Sequence, residues 1–184
     1  MSILIVAAVR AEAARITNHE VLITGVGTVP AAIALTRRLA TGPRPERIVN
    51  VGTAGALHDA HAGVYEITAI KKHDFDSAAV EGITTPVFPR WFTLPVTGAL
   101  PTANLVTGDT FVNDSALRDR LAAEAQLVDM EAYALAAAAA TFDVPFTALK
   151  QISDSADESA MEHWVPSLER AAQELADALA MITS

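Results

Sequence analysis

The chain contains no cysteine. That removes disulfide staples, thiolate nucleophiles and cysteine-ligated zinc together, and it suits a reducing cytoplasm. Basic residues are also sparse, 13 Lys and Arg against 22 Asp and Glu, for a formal net charge of −9. Such a balance argues against a nucleic-acid backbone as partner. No apolar run reaches the roughly 20 residues that span a bilayer, and the alanine-rich stretch 132–140 is too short and too weakly apolar, so no membrane partner is expected. Residues 3–9 are apolar, but they lack the basic region of a secretory leader before them and run straight into Arg10 and Glu12; they read as a first buried strand. A Gly-x-Ser-x-Gly elbow is missing, as is a Lys-Ser/Thr phosphate-loop ending. The five histidines are scattered: His58 and His61 lie three apart in a loop pattern, and His73-Asp74-Phe75-Asp76 would need ligands from elsewhere to hold a metal. Neither a metal nor a cofactor is expected.

What is present is alternation. Strand-like runs at 3–9, 21–25, 47–51, 64–70, 104–107, 126–130 and 145–152 are interleaved with helical patterns at 30–40, from Asn113 or Asp114 to 125, and at 131–141. A C-terminal helix carries Leu168, Ala172, Leu175, Leu179 and Ile182 on one face, with Glu169, Gln173, Glu174 and Asp177 turned outward. The pattern predicts an α/β protein with a mixed or mostly parallel central sheet and helices on both faces. With 184 residues, one domain over 1–184 buries roughly 70% of its unfolded surface, enough for a core. Between 75 and 101 the prolines Pro86, Pro89, Pro95 and Pro101 break the pattern, which predicts a surface excursion or lid.

Chemistry concentrates where strands end. Asp129 and Glu131 stand where an apolar strand hands over to the helix at 131–141, and Lys150, Ser153, Asp154 and Asp157 follow the same design at the last strand. Carboxyl ends of strands are where α/β sheets bind ligands, so Glu131 and Asp154 can face one cleft. Gly25-Val26-Gly27 sits between a strand and a helix, the place of a phosphate loop, although position 30 is Pro30 where a dinucleotide fingerprint wants glycine. Gly52-Thr53-Ala54-Gly55-Ala56 ends the third strand with two glycines around a hydroxyl, where backbone amides and Thr53 can approach a small polar ligand or the chain simply makes a glycine turn, and Phe111 follows Gly108-Asp109-Thr110, where it can stack on a flat ring. Each of these also has a plain structural reading: acids as helix caps, glycines as tight turns, the phenylalanine as core.

Taken in order, these segments resemble the nucleoside phosphorylase superfamily, and most closely the 5′-methylthioadenosine/S-adenosylhomocysteine nucleosidases. The segments are residues 3–12 ending in Glu12, the 24–27 turn, Val49-Asn50-Val51-Gly52-Thr53-Ala54-Gly55, residues 107–112, Val128-Asp129-Met130-Glu131, and Ile152-Ser153-Asp154-Ser155-Ala156-Asp157. The resemblance is collinear over nearly the whole chain. It implies a homodimeric hydrolase acting on a small nucleoside, with Glu12 as the base that activates water and Asp154, helped by Ser153, as the acid that protonates the purine. Glu131 would hold the ribose hydroxyls, Met130 and Phe111 would wall the sugar and base, and Thr53 would approach the ligand from the glycine segment.

Three departures bear on the substrate. Lys150 stands where these nucleosidases carry arginine, keeping a cation near the water without the planar fork. The lid that supplies aromatics across a dimer is short, and Trp164 replaces the apolar residue after the acidic turn. Asn50 occupies the position at which hexameric phosphorylases carry a phosphate-binding arginine, which favours hydrolysis; Arg10 keeps phosphorolysis open, and a nucleoside-binding protein without turnover is the third possibility.

Overall fold

The computed structural model describes residues 2–59, 61–76, 79–80, 83–85 and 87–183. Pro86, one of the prolines expected to break the pattern, lies outside them. The described elements run β1 (Ile3–Ala7), β2 (Glu20–Ile23), α1 (Thr28–Thr41), β3 (Arg47–Ala56), β4 (Val64–Lys72), β5 (Trp91–Thr93), β6 (Thr102–Thr107), α2 (Ser115–Ala122), β7 (Leu127–Asp129), α3 (Ala132–Thr141), β8 (Phe146–Asp154) and α4 (Ala160–Thr183).

Period-two burial explains the central strands. Leu4 and Val6 of β1 join Ile48 of β3 in one core, where Ala31, Leu35 and Leu39 of α1 meet the alanines of α3. Ile5 and Ala7 point the other way with Val49 and Val51, against Leu175, Ala178, Leu179 and Ile182 of α4. Both faces are therefore covered, and continuous apolar runs rather than alternating ones are what such strands require. Each fully buried side chain of this size contributes about 1.5–3 kcal/mol. Small alanine side chains along α3 let its axis approach α1 closely, and Asp114 caps α2 through the Leu117 amide at 2.8 Å.

The sheet is mixed, as expected, but it also closes on itself. β3 pairs with β7 and β8, β4 pairs with β6 and β8, and β6 pairs with β7. These five strands make a ring, from which β1 and β2 extend at one side and β5 at the other. The length of β3 makes closure possible, and here the sequence expectation is corrected: Gly52 to Ala56 is no turn but the second half of the strand. Residues 47–50 pair with β1, Gly55 and Ala56 pair with β7, and β8 follows the opposite edge throughout. Within the expected excursion at 75–101, Trp91–Thr93 forms β5 and pairs antiparallel with β4. No helix among the described residues is long and apolar enough to cross a membrane.

Candidate active site

A cavity of about 320 Å³ opens where the ring's strand ends meet the turn after β1, the loop before α1 and the start of α4. Glu12, Thr53, Phe111, Met130, Glu131, Ser153, Asp154 and Trp164 all line it. They come from most of the chain's length, so only the closed fold assembles them. Val26, Val112 and Met161 add apolar wall that sequence reasoning did not single out.

Glu12 belongs to the turn that follows β1 and is only 3% exposed. Its Oε1 accepts from the Thr53 amide at 2.8 Å and from the Thr53 hydroxyl at 2.9 Å, while Oε2 accepts from the Val9 amide at 3.2 Å. Gly52 explains how the carboxylate fits there. A Cβ at Gly52 would stand 3.1 Å from Lys150 Nζ and 3.4 Å from Glu12 Oε1, so any side chain would push apart the groups that the site packs together.

Lys150 does not line the cavity, contrary to its expected place beside the substrate. It is 1% exposed and lies beneath the floor, its Nζ 2.8 Å from Asp129 Oδ2. Burial opposes its charge, but Asp129, Glu131 and Glu12 around it more than offset this and hold it above the ordinary lysine range. One buried cation thus serves three carboxylates. Asp129 completes the arrangement by accepting from Thr107 Oγ1 at 2.6 Å and from the Ala132 amide at 3.0 Å, at the positive end of α3. The signal for this pair was present in the sequence: a lysine inside an apolar strand needs a buried partner.

Glu131 is 7% exposed, and its Oε1 accepts from the Gly27 amide at 2.8 Å. Burial, reinforced by Asp129 and opposed by Lys150, pushes its carboxyl up to about 7 from an ordinary 4.5. Between these values the unfolded chain releases a proton that the folded chain keeps, so Glu131 lowers stability as pH rises through that window and no further above it. The shift corresponds to on the order of 3 kcal/mol. Glu131→Gln should therefore flatten the fall in stability between pH 5 and pH 8, as read by urea denaturation of both proteins at the two pH values; parallel wild-type and variant curves would contradict the assignment.

Ser153 and Asp154 are neighbours, yet both reach the cavity. Regular pleating would send them to opposite faces. A bulge resolves this: Ala54 lies opposite Ile152, but Gly55 lies opposite Asp154, leaving Ser153 as an extra residue on β8. Ser153 Oγ donates to Asp154 Oδ2 at 2.6 Å and the Ala156 amide donates to Oδ1 at 2.9 Å. Burial nevertheless dominates, and the Asp154 carboxyl is held above the usual range.

The Gly25-Val26-Gly27 loop has the positive φ expected of its glycines, 84° and 101°. The amide of Gly25 donates to the Ala8 carbonyl at 3.0 Å. The Gly27 amide serves Glu131, while Thr28 gives its amide and hydroxyl to Asp109 at 2.7 and 2.5 Å. The helix terminus that suggested an anion loop is thus filled by the chain's own carboxylates. Arg10 is exposed, and no arginine lines the cavity among the described residues.

Residues 7–184 match the family model described as the Phosphorylase superfamily. The chain belongs to the phosphorylase superfamily. It is 30% identical over 183 residues to the 5′-methylthioadenosine/S-adenosylhomocysteine nucleosidase of Staphylococcus aureus (strain JH9), an alignment covering 84% of this chain and 77% of that protein. Among solved structures, the Streptococcus pneumoniae MTA/SAH nucleosidase in complex with 8-aminoadenine superposes with a TM-score of 0.87 at 23% identity, covering 99% of this chain and 98% of that one. The native futalosine hydrolase of Helicobacter pylori strain 26695 gives a TM-score of 0.85 at 23% identity, over 99% and 97% of the two chains. At these identities the structural likeness is one of fold, a phosphorylase-superfamily α/β sheet with helices on both faces.

Proposed function

We propose that the protein is a purine nucleosidase that hydrolyses the N-ribosidic bond of adenosine-type nucleosides bearing a 5′ substituent, with release of adenine. The observation that carries this reading is the convergence of Glu12, Glu131, Asp154 and Phe111 on one cavity whose volume lies within the usual range for small-ligand sites. The name of the Staphylococcus aureus relative supports the same chemistry.

Breaking the bond builds positive charge on the sugar while electrons move onto the purine. Asp154, its carboxyl raised by burial, supplies the proton that makes the purine a neutral leaving group. Glu12 takes a proton from the attacking water, and Glu131 accepts hydrogen bonds from the ribose hydroxyls. Phe111 stacks on the base, Met130 walls the sugar, and Ser153 steers the Asp154 carboxyl through its 2.6 Å hydrogen bond. Thr53, Trp164 and Met161 form the side that receives the 5′ group. Lys150 acts from beneath, as the counter-charge that keeps Glu12 and Glu131 close together.

Water rather than phosphate is the nucleophile in this reading, because the loop amides that would cradle an anion are engaged by Glu131 and Asp109. Adenine release from methylthioadenosine should proceed at the same rate with and without added phosphate, yielding free reducing sugar. Strict dependence on phosphate, with sugar phosphate as product, would overturn hydrolysis.

The protein works as a cytoplasmic homodimer. Val26, Val29 and Ile33 expose apolar side chains at the loop and first turns of α1, beside the cavity, with Ile33 61% exposed, and a two-fold contact there would bury them. Sedimentation at micromolar concentration should give a dimer; a monomer that is fully active would exclude any role for the contact.

A further inference from the structure

An indole N–H can only donate a hydrogen bond, whereas a hydroxyl both donates and accepts. This rule fixes the direction of a chain of bonds in the cavity wall. Trp164 Nε1 lies 3.0 Å from Thr53 Oγ1, and Thr53 Oγ1 lies 2.9 Å from Glu12 Oε1. The threonine oxygen must accept from the indole, so its single hydrogen points at Glu12. The Thr53 amide donates to the same Oε1 at 2.8 Å. Oε1 therefore carries two donors, and among the described residues Oε2 has the Val9 amide alone, at 3.2 Å.

We propose that Trp164 is a positioning residue for the reaction, acting through Thr53 to saturate Oε1 of Glu12 and leave Oε2 as the atom that takes the proton from water. The inference rests on Glu12 as the base. One water O–H bond breaks, its proton goes to Oε2 and its oxygen joins the anomeric carbon. The electron pair of the ribosidic bond leaves with the purine, which gains the Asp154 proton. Trp164 stands in the first turns of α4, two residues before Pro166. A proline supplies no amide to the preceding turn, and the indole bond to Thr53 ties this turn to the base.

Two substitutions separate this role from that of a wall. Trp164→Phe keeps the ring and removes the N–H, and Thr53→Val keeps the shape and removes the hydroxyl. Each should lower kcat roughly 10-fold, the scale of one lost hydrogen bond, with KM nearly unchanged. Thr53→Ser should retain kcat. The double variant should be no slower than Thr53→Val alone, because both changes cut the same chain. In NMR spectra of nitrogen-labelled tryptophan, the Trp164 indole signal should shift in Thr53→Val and not in Thr53→Ser. A change in KM alone, or additive losses, would reduce Trp164 to a wall and overturn the proposal. Should Glu12→Gln be inactive while Thr53→Val turns over normally, the base stands and the relay falls; a normally active Glu12→Gln removes both.

Discussion

Glu12→Gln is expected to lower the rate of adenine release on the order of 100- to 10,000-fold, the usual contribution of a general base, while affinity for the nucleoside is retained. Glutamine matches the size of the side chain, and its oxygen can keep the two bonds from Thr53. What changes is the atom at Oε2, which becomes an amide nitrogen with no capacity to take a proton. That nitrogen also faces the Val9 amide, a donor against a donor, so a stability loss of about 1 kcal/mol should accompany the kinetic one. Single-turnover release of base and calorimetric titration with a nucleoside measure the two quantities separately. Normal turnover by the variant would remove Glu12 from the chemistry and return phosphorolysis to consideration.

Asp154→Asn should have an effect of similar size for the opposite reason. An amide cannot deliver the proton, so the purine must leave as an anion, and the loss again falls on the order of 100- to 10,000-fold in kcat. Binding should change little, since the asparagine can still accept from Ser153 or Ala156. The pH profile gives a sharper readout. Asp154 is active when protonated, and burial raises its carboxyl above the ordinary range; wild-type rates should therefore decline as pH rises through that raised value. The asparagine variant should lack this decline. A wild-type alkaline limb preserved in Asp154→Asn would point to another group as the acid.

The sequence made the alternation of strands and helices legible because burial on both faces leaves local apolar runs with clear ends. The acids at the strand ends were legible for a similar reason: Asp129, Glu131 and Asp154 each follow an apolar run closely. Ring closure was not, since the pairing of β3 with both β7 and β8 depends on segments distant in sequence. The same distance hid the fate of Lys150, whose partner Asp129 comes from another strand. Gly52 to Ala56 looked like a turn because two glycines dominate it, yet Gly52 is small so that Lys150 and Glu12 can approach, while the backbone remains extended. The Gly25-Val26-Gly27 loop looked ready for an anion because nothing local revealed that Glu131 and Asp109 would fill it.

The closed ring also sets the order in which the protein can assemble. Ile48 meets Phe146 and Gly55 meets Asp154 across β3 and β8, so the seam joins the first third of the chain to its last third. Loop-closure entropy must be overcome before such distant strands reward one another, and folds ruled by non-local pairing fold slowly. The C-terminal helix, whose backbone hydrogen bonds join residues four apart, can gain helical signal before its apolar face finds β1 and β3. Asp154 comes to share a cavity with Glu12 and Thr53 only when the seam closes. During refolding from denaturant, recovery of activity should therefore lag behind recovery of helix, and no partly folded species should release adenine.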